Sequence, residues 1–331
     1  MENEVLLVTG SGGFIGFNVC RELLRQGCRV VGVDNFNAYY LTELKEARSA
    51  ILRKYPSFSE HRFDICEKDK LEGVFRKEPI SRICHLAAQA GVRYSLTHPH
   101  LYEQSNIAGF LNILEMARHF KVGRLVYASS SSVYGGNTKV PFSESDRVDS
   151  PVSLYAASKK ANELMAHCYT HLFGLQTVGL RFFTVYGPWG RPDMAMWLFT
   201  EAIKKGNPIK VFNHGNMKRD FTFIDDIVAG VCASLFREGL NSYEVLNLGN
   251  CRSEPLMKMI GIIEKELGIE AKKEMLPLQP GDVPESYADI SLAREKLGFE
   301  PRTTIEQGIP AFLKWYHEHS DLTGLVAKSR A

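Results

Sequence analysis

The sequence predicts an α/β fold of the doubly wound kind, a parallel sheet with helices on both faces, followed by a smaller α+β lobe. Three observations carry this. Short β-rich runs (EVLLVTG, RVVGVD, RICHLAA, RLVYASS) alternate with helical patterns through the first half, as βαβ units require. The first run ends in TGSGGFIG, which places glycines where a strand turns into a helix. From Gly187 the pattern changes to loops rich in Pro, Gly, Asn and Asp, between the helical segments MWLFTEAIKKG, IDDIVAGVCASLF and LMKMIGIIEKELG. The expected division is residues 1–181 and 182–331, with some later segments returning to the first sheet.

Each element has a local reason. EVLLVTG is a continuous apolar run stopped by glycine, which reads as a buried strand. FNVCRELLRQG is amphipathic, and Gly27 suits the left-handed residue that ends a helix, so the second strand starts at Cys28 or Arg29. That strand ends in Asp34. RLVYASS carries serines to the C-terminal edge of a later strand, where ligands of such sheets bind. A long amphipathic helix runs from Tyr155 to about Phe173, and LQTVGLRFF follows as a strand. Near the end, the aromatic stripe of FLKWYHEH reads as packing, with a frayed tail beyond Asp321.

Composition removes whole classes of function. The 331 residues are 44% hydrophobic and 24% charged, enough for a large core and too apolar for disorder. A net charge of +2 gives no basic field for nucleic acid. MENEVLLVTG has acids where a signal peptide needs bases, and no apolar run reaches membrane-spanning length, so no membrane is expected. The seven cysteines are odd in number and lack CxxC spacing, which favours a reducing cytoplasm. His98 and His100 flank a proline without a third ligand at useful spacing, so no metal is expected.

Gly10, Gly13 and Gly16 permit a tight turn, close approach of backbone N–H groups to a pyrophosphate, and contact of helix with strand. Asp34, at the end of the second strand, would accept hydrogen bonds from both ribose hydroxyls of an adenosine and repel a 2′-phosphate, which favours NAD over NADP. Asp64 is placed for an adenine amino group or, equally, for a helix N-cap. Tyr155 and Lys159 project from one face at the start of a helix. A phenolate base near neutrality needs its pKa brought down from about 10, at roughly 4 kcal/mol, which Lys159 and a cationic nicotinamide would supply. Ser130 lies upstream at a strand edge as a partner for the same oxygen.

The glycine pattern, the serine followed by VYG, and Y-x-x-x-K together resemble the extended short-chain dehydrogenase/reductase family, over nearly the whole chain. DNFNAYYLTELKEAR, RFFTVYGPWGRPDMA, FNHGNMKRDFTFIDDI and QPGDVPESYADI are similar to the members that invert C4 of UDP-glucuronate. The resemblance implies a Rossmann-type fold, resident NAD, a UDP-sugar substrate and a homodimer formed through long helices near 100–118 and 155–173. For the cofactor it implies Gly10, Gly13, Phe14, Ile15, Gly16, Asp34, Asn35, Asp64, Ile65, Leu86, Ala87, Ala88, Gln89, Asn106, Tyr155, Lys159 and Phe182. Catalysis falls to Tyr155, Lys159 and Ser130.

For the substrate the resemblance implies Arg191 and Arg219 at the diphosphate, Phe212 at the uracil, Gln279 and Asp282 at the uridine ribose. Thr184 and Asn106 fall near the sugar, and Arg93 reaches the same region. Related 4,6-dehydratases carry an Asp-Glu pair just before VYG and related decarboxylases a glutamate; this chain has Ser131 and Ser132. Neutral hydroxyls there, with Thr184, would hold a sugar carboxylate without supplying an acid; alternatively the serines satisfy the backbone of a turn. A UDP-glucose or broader UDP-sugar 4-epimerase shares nearly every motif. A non-catalytic NAD-binding regulator remains the reading from another class.

Overall fold

The computed structural model describes residues 4–279 and 282–328. Val5–Thr9 (β1) is buried at all five positions, the pattern of a parallel strand covered on both faces. Arg29–Asp34 (β2), Phe58–Arg62 (β3), Arg82–His85 (β4), Arg124–Ser130 (β5), Thr177–Phe182 (β6) and Tyr243–Leu248 (β7) join it. The order is β7-β6-β5-β4-β1-β2-β3, with every pairing parallel. The chain runs outward from β1 through β2 and β3, then returns to β4 on the other side of β1. That reversal opens a crevice above the C-terminal ends of β1 and β4.

Alternation along β1 sorts the core into two layers. Leu6 and Val8 face Phe17 and Leu23 of the helix Phe14–Arg25 (α1), in one layer with Ile227 and Val231. Val5 and Leu7 face the opposite layer, with Ile113 and Phe110. α1 begins at Gly13 and is followed by Gly27 at φ 82°, so β2 starts at Arg29, one of the two expected positions. Thr42–Leu52 (α2) comes next.

The helix expected near 100–118 is irregular. Two short turns, Tyr94–Thr97 and Pro99–Tyr102, lead into a π-helical turn at Glu103–Ala108 and then Gly109–His119 (α3). A π turn releases a backbone carbonyl from its regular partner, and Asn162 Nδ2 donates to the Asn106 carbonyl at 2.6 Å. Leu154–Phe173 (α4) is regular. Ser153 Oγ accepts from Ala156 N–H at its start, and Gly174, left-handed at φ 69°, ends it.

The second lobe is built from short strands and helices after Thr184. Ile224–Phe236 (α5) crosses back to pack on α1 and delivers β7 to the sheet edge. Ile305–Glu318 (α6) buries Phe312 and Trp315 against Trp197, with ring centroids 6.2 and 5.5 Å away. The tail beyond Asp321, expected to fray, is helical as far as Lys328 within Ser320–Lys328, and residues 329–331 lie outside the described ones; Thr323 Oγ1 donates to the Tyr316 carbonyl at 3.3 Å. Among the described residues no helix is long and apolar enough to cross a membrane, and no disulfide joins any of the seven cysteines.

Candidate active site

A cleft of about 1680 Å³ runs along the C-terminal ends of the central strands and between the lobes. It exceeds the few hundred to 1,000 Å³ of an ordinary single-ligand pocket. The sequence-predicted site residues all line it, with the exception of Asn106. Asn106 is 1% exposed. Its Oδ1 accepts from Gln89 N–H at 2.8 Å, and its Nδ2 donates to the Gln89 carbonyl and to Ser158 Oγ, each at 3.0 Å. It therefore braces the wall from behind, which corrects its expected place beside a ligand.

At the β1 end the glycine turn is built for close approach. Gly10 sits at φ +73°, and a Cβ on Gly16 would lie 2.0 Å from the Gly10 carbonyl oxygen. Gly13 starts α1 with no side-chain cap, so the first-turn N–H groups remain for an anion. Asp34, 7% exposed, accepts from Gly12 N–H at 3.1 Å and Phe36 N–H at 2.7 Å, with Lys45 Nζ 3.7 Å away. Each carboxylate oxygen has further lone-pair capacity for a ribose hydroxyl. Asp64 accepts from Asn35 Nδ2 at 2.7 Å and Cys66 N–H at 2.9 Å. It closes a turn, and the next helix begins only at Lys68. An uncapped helix start, a side-chain-free turn and this carboxylate suit an adenine dinucleotide.

At the β5 end, Ser130 Oγ accepts from Ser132 N–H at 3.2 Å and donates to Ser132 Oγ at 3.1 Å, capping the turn Ser131–Tyr134. The turn-satisfying role thus falls to Ser130. The Ser131 and Thr184 hydroxyls line the cleft without a side-chain hydrogen bond among the described residues. Tyr155 and Lys159 occupy the first turns of α4. Burial pushes the Tyr155 phenol up, and although the Ser130 hydroxyl and the Arg191 charge oppose this, it stays above its ordinary value. Burial lowers Lys159 to about 8, and its Nζ donates to the Ala128 carbonyl at 2.9 Å. The chain alone therefore places the pair without ionising the phenol; a further positive charge is needed beside it.

The wall behind α4 is locked. Arg181 donates to both Glu163 oxygens at 2.8 and 2.9 Å and to Tyr134 Oη at 3.0 Å, while Ser129 Oγ donates to Glu163 at 2.7 Å. Local sequence gave no sign of this network, whose members come from β5, the Ser131–Tyr134 turn, α4 and β6.

The second-lobe end gathers cations and aromatic rings. Arg191 is forked onto Asp193 at 3.0 and 2.5 Å, and Tyr39 Oη donates to the same carboxylate at 3.0 Å. Arg93 lies over the Phe212 ring at 5.3 Å and 3.5 Å from Asp282, bridging the lobes. Arg219 Nη1 donates to the carbonyls of Lys218 at 2.8 Å and Pro284 at 3.2 Å, and burial lowers its pKa against the pull of Asp282. Gln279 Oε1 is buried without a partner among the described residues, an acceptor left for something entering the cleft. Tyr39 and Asp193 escaped notice singly, although both lie in the strings that carry the family resemblance.

A doubly wound sheet with a glycine turn at β1, a carboxylate ending β2, and serine, tyrosine and lysine at the end of β5 defines a dinucleotide-dependent enzyme of the short-chain dehydrogenase/reductase type. Residues 6–249 match the NAD dependent epimerase/dehydratase family, and the chain belongs to it. It is 47% identical over 327 residues to UDP-glucuronate 4-epimerase 4 of Arabidopsis thaliana, covering 94% of this chain and 75% of that one. The crystal structure of UDP-glucuronic acid 4-epimerase from Bacillus cereus, in complex with UDP-glucuronic acid and NAD, matches with a TM-score of 0.88 at 33% identity. That match covers 95% of this chain and 99% of the other. UDP-glucose 4-epimerase from Thermotoga maritima with UDP-glucose matches with a TM-score of 0.86 at 28% identity, covering 95% and 99%. The cofactor is NAD.

Proposed function

We propose that this chain is an NAD-dependent isomerase that interconverts UDP-glucuronate and UDP-galacturonate. The observation that carries this is one cleft holding a Ser130–Tyr155–Lys159 set beside a loop of serines without a carboxyl group. Residues 1–181, with segments returning from 182–331, hold the dinucleotide, and the rest of 182–331 the nucleotide sugar. The Gly10–Gly16 turn and Asp34 would hold the NAD pyrophosphate and ribose; when bound, NAD accepts the C4 hydride and returns it. Tyr155 takes the O4 proton as C4 becomes a ketone, Ser130 hydrogen-bonds O4, and Lys159 stabilises the phenolate. Arg191 and Arg219 hold the diphosphate, Phe212 packs on the uracil, and Gln279 and Asp282 take the uridine ribose. The 4-keto sugar turns over about its diphosphate link before reduction on the opposite face. No net oxidation occurs, so no second redox substrate is consumed.

A ketone at C4 stands β to the C5 carboxylate, which makes loss of CO2 easy. Ser131 and Thr184, whose hydroxyls have no side-chain hydrogen bond among the described residues, would hold that carboxylate without offering an acid to protonate the enolate. Ser132, already engaged by Ser130, supports the turn. The test incubates the pure protein with UDP-glucuronate and with UDP-glucose and resolves the products and CO2. UDP-galacturonate without added NAD is expected; equal turnover of UDP-glucose replaces this reading with a broader 4-epimerase. Tyr155→Phe keeps the ring and should lose at least about a hundredfold in kcat with UDP affinity retained. Retained activity in that variant would remove the assignment of the base, whereas a wild type that turns over no UDP-sugar would favour the non-catalytic regulator.

Seven cysteines with no disulfide among them support a reducing, cytoplasmic location. Leu111 on α3 and Leu164, Leu172 and Phe173 on α4 are exposed; this apolar surface supports a homodimer through those helices.

A further inference from the structure

Arg48, on α2, is fully buried, with 0% exposure. Among the described residues no carboxylate lies within ion-pairing distance of it. Its guanidinium is spent on oxygens from two separate parts of the cleft. Nη1 donates to the Gly12 carbonyl at 2.9 Å and to Tyr40 Oη at 2.8 Å. Nη2 donates to the carbonyls of Trp189 at 2.5 Å and Gly190 at 3.3 Å. Nε has no partner. Burying an arginine on neutral oxygens alone is costly, and the position of those oxygens gives it a use.

Gly12 belongs to the glycine turn, and its N–H is the one held by Asp34. Gly12 therefore touches the ribose-side carboxylate through its N–H and Arg48 through its carbonyl, on two consecutive peptide groups. Trp189 and Gly190 immediately precede Arg191. Trp189 is left-handed, at φ +64°, a conformation a tryptophan keeps only where its surroundings impose it. Tyr39, just ahead of α2, reaches the same turn through Asp193, the partner of Arg191. The contacts form an unbroken series from Asp34 through Gly12 and Arg48 to the backbone that aims Arg191.

We propose that Arg48 is a positioning residue that couples the two ends of the cleft, so that the glycine turn and the Trp189–Arg191 turn are set together. Filling the dinucleotide end fixes the Gly12 peptide, and through Arg48 it pre-sets Arg191 for the diphosphate of the nucleotide sugar. The coupling rests on the reading of Arg191 as a diphosphate ligand. It is reciprocal, as any coupling between two binding sites must be.

UDP is titrated calorimetrically into NAD-loaded wild type, Arg48→Lys, Arg191→Met and the double variant. Lysine keeps the cation but has no fork with which to reach both turns. Arg48→Lys and Arg191→Met should each weaken UDP by about tenfold or more, the loss of a charge-assisted contact. The double variant should fall no more than about twofold below Arg191→Met, because Arg48 acts through Arg191. Additive losses, or an Arg48→Lys variant marked only by a lower melting temperature, overturn the coupling and leave the diphosphate reading standing. Wild-type UDP affinity in Arg191→Met overturns both. In parallel, UDP should slow the release of NAD from wild type and leave it unchanged in Arg48→Lys; equal slowing in the two proteins also overturns the proposal. If Arg48→Lys does not fold, Tyr39→Phe, which frees Asp193, enters the same cycle with the same expected non-additivity.

Discussion

Arg181 and Arg48 are both buried, at 3% and 0% exposure, yet they are neutralised in different ways. Arg181 faces a carboxylate, Glu163, in a fork of two short bonds, inside a sheet whose strands and helix it joins. Arg48 faces only carbonyl and hydroxyl oxygens across the seam between the glycine turn and the second lobe. A matched ion pair makes a wall that cannot shift without uncovering a charge. Dipoles hold more weakly and can be regained after a small displacement. The base and its lysine stand on the wall, whereas Arg191 and Arg93 stand on the seam. Chemistry needs fixed distances, and substrate entry needs a boundary that can part.

The largest effect should come from breaking the wall. Glu163→Gln keeps the shape of the side chain and leaves the Arg181 cation uncompensated, at about 3 kcal/mol or more. Denaturant unfolding measures it, and a change under about 1 kcal/mol would erase the distinction between wall and seam.

A middle-sized effect belongs to His85, behind the wall, which hydrogen-bonds Thr9 at 2.8 Å and stacks on Phe110. Burial, aided by the Lys159 charge, lowers its pKa to about 3. The unfolded chain takes up a proton near pH 6.5 that the fold refuses. Stability therefore falls as pH drops from 6.5 towards 3, at up to about 1.4 kcal/mol per pH step. Unfolding free energies at pH 7, 6 and 5 should converge between wild type and His85→Gln as pH falls; parallel lines would show that His85 contributes no part of the slope.

The smallest effect is expected on the seam at Arg93, whose side chain is 65% exposed while it bridges Phe212 and Asp282. Exposed pairs contribute little, so Arg93→Ala should change UDP affinity by less than about fivefold in calorimetry. A loss much beyond tenfold would make Arg93 a direct substrate contact and shift the seam towards the nucleoside.

Much of the first lobe was legible because its signals are local. The apolar run of β1, the glycine turn, Asp34 at the end of β2 and the Tyr155–Lys159 spacing on α4 each sit within a few residues of one another. The seam was not. In TELKEARSAIL, Arg48 looks like one more charge on a solvated helix face, since its partners Trp189 and Gly190 lie 141 and 142 residues away. Tyr39 and Asp193 are 154 residues apart. The π turn around Asn106 leaves no compositional mark, so a ligand contact and a brace for the Gln89 backbone look alike until the turn is seen. Ser130 shows the same limit: a serine at a strand edge suits both a substrate oxygen and a turn, and the structure gives it the turn's N–H as well.

The Trp189 ring is boxed by Trp315 at 5.2 Å and His319 at 4.9 Å, from α6 and the residue after it. During translation the glycine turn and the whole of α4 emerge well before that box is complete. The turn that carries Arg191 therefore gains its last packing partners only from the far end of the chain, so the order in which the chain is made leaves that turn among the last parts to be completed.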